Sequence, residues 1–165
     1  MTVRLEDPEA RLQHARDVAW KALNRRERTV AELARLLAAK RVEPAAIETV
    51  LAELLEQGYL DDASYAQRFA DDRRRLDAWG AERIERKLLS LGIDRELIAA
   101  AVGEQDHAGE IEAALELLAR RFPEPPQTPR DRDRALGMLV RKGYELELAY
   151  DALRRHCGAR DESYD

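Results

Sequence analysis

Apolar residues recur along this chain at helical spacing, in short stripes broken by caps and turns. Leu12, Ala15, Ala19 and Leu23 form one stripe, Val30, Leu33, Ala34 and Leu37 a second, and Ile47, Val50, Leu51, Leu54 and Leu55 a third. Residues three and four apart share one face of a helix, so each stripe predicts an amphipathic helix. The breaks carry matching punctuation: Thr29 and Glu32 have the form of a capping box, Pro44 suits a first helical turn, and Gly58 suits the close of the third helix. The plan then recurs through Tyr65, Phe69 and Leu76, through Ile84, Leu88 and Leu91, and through Leu97, Ile98, Ala101 and Val102, with Gly92 and Gly103 at helix ends. A third pass runs through Ala108, Ile111, Leu115, Leu118 and Phe122. It breaks at Pro123, Pro125, Pro126 and Pro129, a stiff connector, and resumes with Ala135, Leu136, Leu139 and Val140, then Leu146, Ala149, Tyr150 and Leu153. Runs of β-branched residues alternating with polar ones are absent, which predicts no sheet.

The three passes overlay without a gap at a spacing of 51 residues, residues 29–51 over 80–102 over 131–153. Thr29, Gly80 and Asp131 coincide as expected N-caps, Leu37, Leu88 and Leu139 coincide on the buried face, and Arg41 falls where Gly92 and Gly143 stand. Such self-similarity predicts an all-α protein of three tandem three-helix, helix-turn-helix-like repeats in an elongated, curved array. The expected units are 1–60 with a short N-terminal tail, 61–106, and 107–165 with a frayed acidic C-terminal tail. Each is small enough that its core is marginal alone, so neighbouring units should lean on one another.

Charge narrows the function. The chain carries 28 Lys and Arg against 33 Asp and Glu, a net charge of -5, which speaks against holding nucleic acid by bulk electrostatics. Any nucleic-acid contact must come from local stripes, and a protein partner gains weight. Arg25, Arg26 and Arg28 surround the first interhelical turn, Arg68, Arg73 and Arg74 run along the first helix of the second unit, and Arg83 and Lys87 share a face of its second helix. Arg141 and Lys142 repeat the theme in the third unit. These ten residues are the candidate partner contacts. The bland alternative for all of them is salt bridging to neighbouring acids.

Enzyme signatures are lacking: His14, His107 and His156 are dispersed, and neither a zinc-protease spacing nor a phosphate-binding glycine loop is present. Asp61 and Asp62 directly precede a helical stripe and read as its cap. No cofactor or metal is expected. Cys157 has no second cysteine to pair with, and Arg4, Glu6, Asp7 and Glu9 stand where a signal peptide would be apolar, which together point to a cytoplasmic protein; a monomer is expected.

One segment is more specific than periodicity. Gly58-Tyr59-Leu60-Asp61-Asp62, then Tyr65-Ala66, Trp79-Gly80, Arg83-Ile84 and Leu91-Gly92-Ile93 resemble the signature of the RecX family of recombination regulators. Arg28-Thr29 with Glu32-Leu33, and Lys142-Gly143-Tyr144, fall where that family has similar residues, so the resemblance extends over roughly residues 12–156. It implies a non-enzymatic protein that lodges in the groove of the RecA nucleoprotein filament and inhibits its ATPase, strand-exchange and coprotease activities, with weak or indirect DNA binding. Arg41, where that family prefers glycine, implies an altered turn in the first unit. The rival reading is a helix-turn-helix transcription regulator. The starts of its would-be recognition helices, Ala45-Ala46-Ile47-Glu48 and Arg95-Glu96-Leu97-Ile98, are poor readers of base edges.

Overall fold

A computed structural model describes residues 7–103 and 105–158; the two tails expected to fray fall largely outside these, at residues 1–6 and 159–165. The described residues form helices only: α1 (Pro8–Arg25), α2 (Val30–Ala39), α3 (Pro44–Glu56), α4 (Asp62–Asp77), α5 (Ala81–Ser90), α6 (Arg95–Val102), α7 (His107–Arg121), α8 (Pro129–Lys142) and α9 (Leu146–Gly158). Their apolar residues gather into three separate cores. Ala15, Ala19, Leu33, Leu37, Val50 and Leu54 close α1 to α3; Ala66, Ala70, Ile84, Leu88, Ile98 and Ala101 close α4 to α6. Ala114, Leu118, Leu139, Tyr144, Leu148 and Ala152 close α7 to α9.

Local chemistry explains most helix ends. Thr29 and Glu32 make the full capping box of α2, Asp61 accepts from the Ser64 amide at the start of α4, and Asp106 does the same for Gly109 at α7. Three expectations need correction. First, α8 starts earlier than the gapless overlay predicts: Thr128 is its N-cap and Asp131 lies in its first turn, because Pro129 suits the opening position and the Asp131 amide donates to Thr128 Oγ1 at 3.1 Å. Second, α4 buries Ala66 and Ala70 rather than the stripe ending in Leu76, which is 62% exposed, while Tyr65 and Phe69 flank the core. Third, the proline stretch is packed as well as stiff. Pro125 and Pro126 are buried, and the Pro126 carbonyl lies within reach of Arg132 Nε and Cys157 Sγ.

The units join through one device used twice. Thr29 Oγ1 at the start of α2 donates to the Leu91 carbonyl at the end of α5, at 2.6 Å; 51 residues further on, the Gly80 amide at the start of α5 donates to the Lys142 carbonyl at the end of α8, at 2.8 Å. Beside each contact an acid on the first helix of the following unit accepts the first amide of the docked helix. Asp62 Oδ1 takes Val30 N at 3.0 Å, and Glu110 Oε1 takes Ala81 N at 2.8 Å. Those amides have no partner within their own helices, so each unit completes the helix of the unit before it. The close approach explains the glycines: a Cβ at Gly92 would stand 2.4 Å from Ala31 Cβ, and one at Gly143 would stand 2.3 Å from Arg83 Cβ. Both glycines also have positive φ, as does Arg41 at φ 59. Among the described residues no helix docks on the exposed turn at Arg41, which keeps its left-handed geometry without needing the bare backbone.

Candidate partner-binding surface

The ten candidate residues separate into three groups by what their side chains do. Arg28, Arg74, Arg83 and Lys142 bond backbone carbonyls. Arg28 Nε reaches Ala22 O at 3.3 Å near the end of α1. Arg74 Nη2 reaches Val102 O at 2.6 Å, satisfying the C-terminus of α6. Arg83 Nη1 reaches Arg141 O at 3.2 Å and Lys142 Nζ reaches Asp77 O at 2.8 Å, both across the joint between the second and third units. Arg26, Arg68 and Arg73 pair with Glu32, Glu27 and Asp77, as the salt-bridge alternative anticipates. Arg25, Lys87 and Arg141 are exposed, and among the described residues their side chains have no ion-pair partner. The basic residues of the second unit therefore do not make one solvated stripe.

Aromatic rings thread between those arginines. Tyr65 and Phe69 stack with centroids 6.3 Å apart, Phe69 meets Trp79 edge-on at 6.1 Å, Arg73 lies over both Phe69 and Trp79 at 5.6 and 5.8 Å, and Arg83 covers Trp79 at 4.1 Å. Arg73 Nε is buried without an acceptor, and the adjacent ring faces supply the electrostatic compensation. This arrangement was not legible as a surface, because Tyr65 and Phe69 read as a core stripe. The helical spacing of Tyr65, Phe69 and Arg73 at i, i+4 and i+8 was its available signal.

Titrating groups concentrate at the joints. Burial raises the Asp62 and Glu110 carboxyls above their ordinary values despite the amides they accept. Burial also pushes the Tyr144 phenol up to about 12, and its hydroxyl donates to the Ala78 carbonyl at 3.0 Å. Glu32 is opposed by burial, yet its hydrogen bonds to Arg26 and the Thr29 amide hold it below the usual range. The signal for Asp62 and Glu110 was an acid in the first turn of a unit's first helix. The partner amides, in the preceding unit, lie 32 and 29 residues away.

His14 and His107 are exposed, as expected, and His156 sits with Nε2 2.8 Å from the Phe122 carbonyl. Among the described residues no three His, Cys, Asp or Glu side chains converge as metal ligands, and no helix is long and apolar enough to cross a membrane.

Tandem three-helix units joined end to end define a helical repeat protein. Residues 15–54 match the RecX first three-helix domain and residues 61–102 match the RecX second three-helix domain. The chain is 36% identical over 136 residues to the regulatory protein RecX of Leptothrix cholodnii, covering 82% of this chain and 85% of that one. It is 31% identical over 163 residues to the regulatory protein RecX of Amycolatopsis mediterranei, covering 96% and 93%. The crystal structure of RecX from Lactobacillus salivarius superposes with a TM-score of 0.79 at 17% identity, over 90% of this chain and 97% of that one, and shares the fold. The chain belongs to the RecX family of regulatory proteins.

Proposed function

We propose that this chain is a negative regulator of RecA that binds in the groove of the RecA–DNA filament and inhibits its ATPase, strand-exchange and coprotease activities, without catalysis of its own. Membership of the RecX family carries the reading, and the architecture supports it. Three units tied in series offer a long surface to neighbouring subunits of a helical polymer, and exposed Arg25, Lys87 and Arg141 spread unpaired cations across all three. A filament presents acidic DNA backbone and protein together, which suits a chain of net charge -5 better than naked DNA does. In this reading the working units are 1–60, 61–106 and 107–165, and the protein acts as a cytoplasmic monomer. The experiment is co-sedimentation with RecA, with and without single-stranded DNA and an ATP analogue: the chain should pellet with assembled filament and stay in solution with DNA alone at moderate salt.

A further inference from the structure

The two joints share one plan but are not equally tied. At the second, backbone meets backbone: the Gly80 and Glu82 amides donate to the Lys142 and Gly143 carbonyls at 2.8 and 3.0 Å, and a Cβ on Gly80 would stand 2.5 Å from the Gly143 carbonyl carbon. Side chains bind across it as well, Arg83 to the Arg141 carbonyl, Lys142 to the Asp77 carbonyl and the Tyr144 hydroxyl to the Ala78 carbonyl, while Ala78 packs against the third core. Glu110 adds the Ala81 amide. The first joint holds through side chains. Thr29 Oγ1 and Asp62 Oδ1 carry the bonds to Leu91 and Val30, and an exposed ion pair, which contributes little, joins Arg68 to Glu27. Among the described residues no backbone–backbone hydrogen bond crosses this joint, and neither adjoining core takes in a residue of the other unit. The 51-residue register explains the difference: Tyr144, Lys142, Arg83 and Gly80 correspond to Ile93, Leu91, Glu32 and Thr29. Ile93 has no hydroxyl, Leu91 has no ammonium, and the Glu32 carboxylate is engaged within its own unit by Arg26 and the Thr29 amide. The Thr29 side chain stands where Gly80 lets the backbones touch.

From this asymmetry we infer that the array hinges at its first joint: the second and third units move as one rigid body, and the first unit is an arm that swings about the Thr29–Leu91 contact. Hinges form where a few residues at element ends carry the connection, and the least-tied contact in a fold opens first. Such an arm lets one face fit partner subunits whose spacing varies. That use rests on the proposed filament binding, whereas the hinge does not.

Ala45, Glu96 and Glu147 are exposed and equivalent in the register, each in the first turn of its unit's third helix. In the full chain, Cys157→Ser removes the sole native thiol, and nitroxides are placed in pairs through Ala45→Cys with Glu96→Cys, or Glu96→Cys with Glu147→Cys. Pulsed electron paramagnetic resonance should give a distance distribution about twice as broad or more across the first joint as across the second. Circular dichroism melts check that each variant remains folded. Amide exchange in the unlabelled chain gives a second reading: the Val30 amide, held by Asp62, should exchange about tenfold faster, relative to its intrinsic rate, than the Ala81 amide held by Glu110. Equal widths, a broader second joint, or equal protection of the two amides would each overturn the hinge. Adding RecA, single-stranded DNA and an ATP analogue separates the hinge from its use. Narrowing across the first joint, with the second unchanged, supports both. A first joint that stays broad on a chain that pellets with filament keeps the hinge and overturns its use, and a chain that does not pellet loses the proposed function while the free-chain result still decides the hinge.

Discussion

Gly143 lies directly beneath Arg83: a Cβ on the glycine would stand 2.3 Å from the arginine Cβ and 2.5 Å from its amide nitrogen. The same relation holds between Gly92 and Ala31 at the other joint. Gly58 shares the positive φ, at +78, but has open space around it. Gly58→Ala should therefore cost only the left-handed backbone, about 1 kcal/mol. Gly143→Ala should add the overpacking of a joint, a further 1 to 3 kcal/mol or so. Thermal melts of the two variants check this, and equal losses would show that the joints tolerate separation.

The carboxylate at the second joint should respond oppositely to two substitutions. Glu110 is buried, and its raised folded pKa means that its charged form is the costly one. A carboxyl raised on folding contributes most stability below its ordinary value of 4.5 and loses that contribution as pH rises through the folded value. Glu110→Gln keeps an acceptor for the Ala81 amide and removes the charge, so it should melt at or above the parent temperature at pH 7 and show a flatter pH dependence. Glu110→Ala leaves that amide unpaired and should cost about 1 to 3 kcal/mol.

Two basic residues of the second unit should part company under charge reversal. Arg74→Glu would aim a carboxylate at the Ala101 and Val102 carbonyls that the guanidinium now satisfies, costing about 1.5 to 3 kcal/mol in lost charged hydrogen bonds. Lys87→Glu, exposed and unpaired, should stay within about 0.5 kcal/mol of the parent. Denaturant melts separate them.

Much of this architecture could be read before any coordinates. The helical stripes gave the nine elements, and the 51-residue register aligned Thr29 with Gly80 and Gly92 with Gly143, the residues that make both joints. Their role was hidden, because periodicity reports which face of a helix is buried and not which distant element covers it. Thr29 and Leu91 meet across 62 positions. The overlay also misled where local chemistry outranked symmetry: Thr128 and Pro129 start α8 ahead of Asp131. Basic side chains were legible as residues but not by task, since a guanidinium that caps a helix and one that faces solvent look alike in a sequence.

Reversing only the cations with no partner should disable binding without unfolding. Arg25→Glu, Lys87→Glu and Arg141→Glu together leave the joints untouched, because only the Arg141 backbone carbonyl takes part in one. Exposed charges worth about 0.5 kcal/mol each would together weaken inhibition of RecA about tenfold, with the melting temperature unchanged. Full inhibition by the triple variant would place the binding face elsewhere.

RecA's DNA-dependent ATPase, titrated with this chain, tests the central claim most directly. The chain should hydrolyse no ATP alone and should lower RecA's turnover at substoichiometric to stoichiometric ratios. An ATPase rate that stays constant across the titration, with tight binding to one particular duplex in RecA's absence, would contradict the account and identify a helix-turn-helix DNA regulator instead.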